Sequence, residues 1–148
     1  MEIAILALGC FWGPEIKFNK LNGVIKTEVG YCGGNEASVS YEEVCTGKTS
    51  HAEVVRIEFD SVKVSYENLL NYFFEIHDPT TIDRQGPDIG SQYRSEIFYS
   101  NDDQKIIAEN VLKKYNKKFN GKIVTKISEV KNYCKAEEYH QKYLEKKF

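Results

Sequence analysis

The chain of 148 residues has no C-x-x-C pair, only three prolines, a single tryptophan and no apolar run near the ~20 residues that cross a bilayer. Each scarcity closes off a class. Zinc sites bring their ligands in close pairs, whereas Cys10, Cys32, Cys45 and Cys134 are scattered, as are His51, His77 and His140. No metal or other bound cofactor is therefore expected. Linkers, internal repeats and low-complexity tracts are also missing, which predicts one domain over residues 1–148. Nor is there an excess of one charge. Twenty Lys and Arg face 22 Asp and Glu, a formal net charge of −2, so nothing global calls for nucleic acid or a membrane surface. Residues 1–100 hold 8 basic against 15 acidic side chains and residues 101–148 hold 12 against 7, as solvated faces of C-terminal helices would give.

The N-terminal run IAILAL is six residues long, follows Glu2 and lacks the basic region of an export signal, so it reads as a strand rather than a leader or a lipid-attachment segment. A secreted disulfide scaffold does not suit a chain with this much core. The thiols are expected to be reduced and the protein cytoplasmic and monomeric.

Periodicity then orders the chain. Strand 2–8 turns at Gly9 into a helix from Pro14 to Leu21, with proline where a first turn tolerates it and Gly23 as the stop. VIKTEVGY (24–31) and AEVVRIEF (52–59) read as strands. A helix from Tyr66 to about His77, capped by Ser65, buries Leu69, Leu70, Phe73 and Phe74. Strand 95–99 leads through a Ser100 cap into a helix from Asn101 to Phe119. Strand 122–130 and a helix over 136–147 complete the reading. Strand, helix, strand, strand, helix, strand is the split βαβ order of an α+β, ferredoxin-like two-layer sandwich, here with a mixed sheet and added C-terminal elements. DPTTIDRQGPDIGSQYRS (78–95) has no period, and an unstructured stretch of that length in a small domain points to function.

The chemistry gathers at GCFWGPE (9–15). Cys10 follows a buried-type strand and precedes a helix start, where backbone N–H groups and the helix dipole favour a thiolate. The alternative is a cysteine serving as a small core hydrophobe. Phe11 and Trp12, in a turn rather than inside an element, are placed to line a pocket whose faces suit a methyl group on a polarised sulfur; otherwise they anchor the turn.

GCFWGPE followed by GYCGG (30–34), YEEVCTG (41–47), HAEVVRIEFD (51–60), GPDIGSQYRS (86–95) and AEEYHQKYL (136–144) resembles the methionine sulfoxide reductase A family, in the family's order and over nearly the whole chain. The resemblance implies reduction of methionine-S-sulfoxide, free or in proteins, through a cysteine sulfenic acid. It makes Cys10 the nucleophile, Glu53 the proton donor, and Phe11 and Trp12 the methyl pocket. Tyr41 and Tyr93 match tyrosines that bind the sulfoxide oxygen or the departing water, and Asp88 a carboxylate that helps hold substrate. Glu53 has support of its own: it shares a strand face with Val55 and Ile57, where desolvation raises a carboxyl pKa and keeps the acid protonated. His51 reads as loop structure, His77 as a helix cap and His140 as packing behind the site.

Many members carry resolving cysteines in a glycine-rich tail beyond the HQ-Y block, and here the sequence stops at Phe148. Recycling by an external thiol, glutathione with glutaredoxin or else thioredoxin, is the expectation; attack by Cys32, Cys45 or Cys134 is the alternative. Two rivals remain. A cysteine hydrolase needs a histidine in a partner motif, and an aromatic-cage binding module would keep binding without Cys10.

Overall fold

A computed structural model describes residues 2–143. Its elements run β1 (Glu2–Leu8), α1 (Trp12–Asn19), β2 (Val24–Cys32), α2 (Tyr41–Cys45), β3 (Ala52–Phe59), α3 (Tyr66–Glu75), β4 (Arg84–Gln85), β5 (Asp88–Ile89), β6 (Ser95–Tyr99), α4 (Asp102–Lys118), β7 (Lys126–Glu129) and β8 (Cys134–Lys135). Single 3-10 turns cover Ser91–Tyr93 and Glu138–His140.

Six strands pair in the order β7-β6-β1-β3-β2-β8, and β4 and β5 form a separate small hairpin. The inner four, β6-β1-β3-β2, are antiparallel neighbours in the split βαβ arrangement, while β7 joins β6 in parallel and makes the sheet mixed. The architecture is therefore the ferredoxin-like α+β sandwich, with β7 and β8 added at the two edges. The larger core lies between sheet and helices: Leu6, Val55, Ile57 and Phe59 meet Phe18, Leu69, Leu70, Phe73, Val111 and Tyr115. A smaller cluster of Ile5, Ala7, Cys32, Ala52, Val54 and Phe98 fills the other face. No methionine stands among these buried side chains, the chain's only one being Met1.

Local chemistry sets the boundaries. α1 begins two residues before the expected Pro14, which falls in the first turn where its missing N–H costs nothing. α4 is capped by Asn101, not Ser100: the Asn101 carboxamide accepts the Gln104 N–H, and the Gln104 side chain accepts the Ser100 N–H. The unforeseen α2 opens on a capping box, with Ser40 Oγ accepting from Glu43 N–H and Glu43 Oε1 accepting from Ser40 N–H. The strand expected over 122–130 shortens to Lys126–Glu129, because Ile123 N–H donates to Asn116 Oδ1 and Val124 N–H to the Pro79 carbonyl instead of to the sheet.

The helix expected over 136–147 is the main correction; its residues from Leu144 onward lie outside those described. From Cys134 to Lys142 the chain is instead a short strand, one 3-10 turn and a tight turn at Lys142, where φ is +51°. Its polar groups are used outward. Gln141 accepts the Val29 N–H at 2.9 Å and donates to the Val29 carbonyl at 2.9 Å, completing the edge of β2 as a side-chain amide, and Lys142 N–H donates to the buried Glu15 carboxylate.

Replacing Gln141 with leucine takes the partner from the buried Val29 N–H, while the Val29 carbonyl keeps the Ala136 N–H, so urea unfolding should show a loss of about 1–3 kcal/mol. A loss under 0.5 kcal/mol would mean that the strap adds nothing to the fold.

Candidate active site

Gly9 ends β1 with φ +98°, and a Cβ there would stand 2.8 Å from the Gln85 side chain, so only glycine lets the chain turn this tightly under the β4–β5 hairpin. Gln85 secures that hairpin by exchanging two 2.8 Å hydrogen bonds with the backbone of Asp78. Cys10 therefore sits half-buried at the mouth of α1, between the sheet and the 78–93 segment.

Phe11 is buried, and its N–H donates to Glu53 Oε1 at 3.4 Å. Glu53 lies opposite Tyr31 in the β2–β3 register and is 1 % exposed, on the helix-side face with Val55 and Ile57 as the alternation requires. Its Oε2 is buried with no partner among the described residues. Burial pushes the carboxyl up to about 8, against the pull of the Phe11 N–H and with a further push from the Asp88 charge. At neutral pH it is an acid holding its proton.

The thiol differs from the sequence expectation. The Trp12 N–H at the helix start does favour a Cys10 thiolate, as foreseen, but desolvation outweighs it and Glu53 and Asp88 add negative charge, so the pKa is pushed up to about 11. A half-buried sulfur beside two carboxyls keeps its proton despite the helix N-terminus.

Tyr41, at the start of α2, and Tyr93, in the 3-10 turn, are both half-buried. Burial raises each hydroxyl, with the Cys45 thiol and the charge of Glu53 acting on both; Tyr93 reaches about 12. Tyr93 also feels Asp88 and Cys10, so Cys10, Glu53, Asp88, Tyr41 and Tyr93 share one electrostatic neighbourhood.

Trp12 is half-buried against the C-terminal strap. Its Nε1–H donates to His140 Nδ1 at 3.2 Å, and Tyr143 stacks on its face with ring centroids 3.9 Å apart. His140 is 2 % exposed, and its ring lies 5.4 Å from that of Phe11 and 4.5 Å from that of Tyr41. Burial lowers its pKa although the Glu137 charge pulls the other way. It packs behind the site as the sequence suggests, in a 3-10 turn rather than a helix.

Other histidines take structural places. His51 spans the Thr49 and Asn132 carbonyls, and a Cβ on Gly34 would come within 2.0 Å of its Nδ1. His77 caps α3 by donating from Nδ1 to the Phe73 carbonyl, with Ser95 Oγ on Nε2 and burial holding its pKa down at about 4.

Sequence reasoning missed the supports. Glu137 accepts both the Tyr31 hydroxyl at 2.8 Å and the Tyr41 N–H at 2.9 Å, fixing α2 to the strap. Burial acts to raise the Glu137 carboxyl, but these donors outweigh it and hold it below the usual range. Arg94 ties the Ser50 and Ser91 carbonyls while pairing with Glu96 at 2.7 Å. Both residues stand in the quoted blocks, and an extended segment rich in Glu, His and Gln was the available signal.

A half-buried thiol, a buried un-ionised acid and the Tyr41 and Tyr93 hydroxyls share this neighbourhood, a set of groups able to support thiol chemistry. A sequence model of the peptide methionine sulfoxide reductase family matches residues 2–148. A Pelagibacter ubique peptide methionine sulfoxide reductase is 69% identical over 147 residues, 99% of this chain and 100% of the relative. Reduced Mxr1 of Saccharomyces cerevisiae superposes with a TM-score of 0.95 at 40% identity, over 98% of this chain and 84% of that one. Mxr1 in complex with Trx2 matches at 0.69 and 26% identity, over 96% and 84%. The chain belongs to the peptide methionine sulfoxide reductase family and is a peptide-methionine (S)-S-oxide reductase.

The buried acid makes a prediction about stability. Its folded pKa lies above the unfolded 4.5, so the folded state binds the extra proton; this stability is present below about pH 4.5 and is lost as pH rises through about 8. Glu53→Gln removes the dependence. Thermal unfolding should show the variant gaining on the order of 5 °C over wild type at pH 9 and nothing at pH 5. Parallel profiles would mean that Glu53 does not titrate from a buried state.

Proposed function

We propose that the reduction runs by oxygen transfer to Cys10, with Glu53 as the proton carrier and an external thiol closing the cycle. The observation that carries this reading is the buried, proton-bearing Glu53 within electrostatic reach of a half-buried Cys10 thiol. The sulfoxide sulfur stands over Phe11 and Trp12, which receive its methyl group, and Tyr41 and Tyr93 donate to its oxygen. Asp88 helps hold the substrate.

Glu53 protonates the oxygen, which makes the sulfur an acceptor of the Cys10 electron pair. A bond forms between the Cys10 and substrate sulfurs, the S–O bond breaks, and the oxygen adds to the Cys10 sulfur as the S–S bond breaks and its electron pair stays with the departing thioether, which leaves Cys10 as a sulfenic acid. The thiol proton returns to Glu53, so the acid is unchanged over the step. Cysteine sulfur is oxidised by two electrons and the substrate sulfur is reduced by two. Because both groups hold their protons at rest, the thiol is activated only when a sulfoxide accepts the carboxyl proton.

The positions of the other thiols support recycling from outside. Cys32 is buried on the opposite face of the sheet and donates to the Lys131 carbonyl, and the Cys134 thiol turns to the carbonyls of Val39 and Lys135. Cys45, exposed and within electrostatic reach of Tyr41 and Tyr93, is the internal alternative. A thioredoxin is the favoured reductant, since the related Mxr1 has been crystallised with Trx2; glutathione with glutaredoxin is the other candidate. Four reduced thiols suit a cytoplasmic setting.

Cys10→Ser should abolish turnover of methionine-S-sulfoxide, and Glu53→Gln should lower kcat about 100- to 10,000-fold. Wild-type activity should fall about tenfold per unit above pH 8 as the acid loses its proton, a limb that Glu53→Gln lacks. Activity that rises from pH 8 to 10 would instead point to a pre-formed thiolate.

Recycling is tested by one equivalent of sulfoxide without reductant. A sulfenate on Cys10 with three free thiols supports the external route, whereas a Cys10–Cys45 disulfide, about two hydrogens lighter, would replace it.

A further inference from the structure

We infer that His140 is a positioning residue for the methyl-binding wall: by accepting the Trp12 indole N–H it fixes the plane of that ring and so sets the size of the sulfur substituent admitted. The inference rests on the reading of Trp12 as part of the methyl pocket.

An indole has two side-chain torsions, and here it is held at two points. Its edge is bound by the 3.2 Å hydrogen bond to His140 Nδ1, and its face is stacked on Tyr143. The imidazole is held in turn. It is 2 % exposed among Phe11, Tyr41 and Tyr139, at ring distances of 5.4, 4.5 and 4.2 Å. Its flanking residues, Glu137 and Gln141, are bonded to Tyr31, Tyr41 and Val29. The ring has little freedom to follow a displaced indole.

Its protonation state fits the task. Nδ1 accepts from Trp12, so Nε2 carries the proton of a neutral ring. That Nε2 is buried with no partner among the described residues, which costs stability that a phenylalanine of similar volume would not. A histidine held at such a cost is explained by its acceptor. Among the described residues the ionised group acting on it is Glu137, on its own segment; the tyrosines packed around it, Tyr41 and Tyr139, keep their protons because their hydroxyls are raised.

The consequence concerns selectivity more than rate. A tethered indole leaves a methyl-sized gap over Cys10; a loosened one swings away and admits a longer alkyl group. Binding of the methyl sulfoxide weakens while the thiol and acid are untouched.

The test compares wild type, H140F and H140N on the S-sulfoxides of methionine and ethionine. In H140F the ratio of kcat/KM for methyl over ethyl should fall at least fivefold, mostly through KM for the methyl substrate. In H140N, whose Oδ1 reaches the place of Nδ1, most of the ratio should survive. Trp12 is the only tryptophan, so its fluorescence anisotropy reports the tether without turnover; it should drop in H140F and hold in H140N.

A folded H140F with unchanged ratio and unchanged anisotropy overturns the inference. Should H140F not fold, H140N against H140Q decides, because the glutamine oxygen reaches the place of Nε2 instead; equal losses in both readouts overturn it. Wild-type protein that reduces neither sulfoxide would overturn the functional reading and the selectivity with it, while the anisotropy separately decides the tether.

Discussion

A carboxyl group withdrawn from water and offered one long hydrogen bond governs this molecule. Among the described residues Glu53 has the Phe11 N–H on one oxygen and no hydrogen-bond partner on the other. The sheet could have closed over an apolar side chain at this point of β3 with no such difficulty. Keeping the acid uncharged is the low-energy response. The burial that keeps Glu53 protonated, with the negative charges nearby, also keeps Cys10 a thiol. A helix N-terminus alone cannot overcome that burial, which is why the dipole argument has the right sign at Cys10 and the wrong outcome.

Much of the fold was legible because its signals are local. Alternation in AEVVRIEF assigned Glu53 to the buried face, and the register opposite Tyr31 bears this out. The four core strands and the two long helices follow from period and caps, with errors of one or two residues where Asn101 rather than Ser100 takes the capping role. The C-terminal segment was misread for a physical reason. AEEYHQKYL has the composition of a helix, yet its side chains satisfy partners far away in sequence, Val29, Trp12 and Tyr41, and those long-range bonds outweigh propensity. Glu137 and Gln141 could not be assigned without knowing which edge they meet. The family motifs named the residues around Cys10; what they could not give is the balance of burial against dipole that fixes the protonation of the thiol.

The strap formed by residues 134–143 shows how much of the site is made late in the chain. Glu137 anchors α2, Gln141 completes the edge of β2, and Lys142 meets Glu15 under α1. Residues 9–15 thus complete their surroundings only when the last part of the described chain docks. Loss of the strap would expose the Trp12 indole and the Glu15 carboxylate together.

Among the described residues the interior contains no thioether. Leucine, isoleucine, valine and the aromatic rings fill the space that methionine, the adaptable filler of cores, often takes. A packed methionine turned to its sulfoxide becomes polar and bulkier, and it would lie where no crevice could receive it, including that of another copy. This core offers oxidants none of the side chain that the molecule exists to restore, so an oxidative burst can burden the repair catalyst with work without unmaking the catalyst from within.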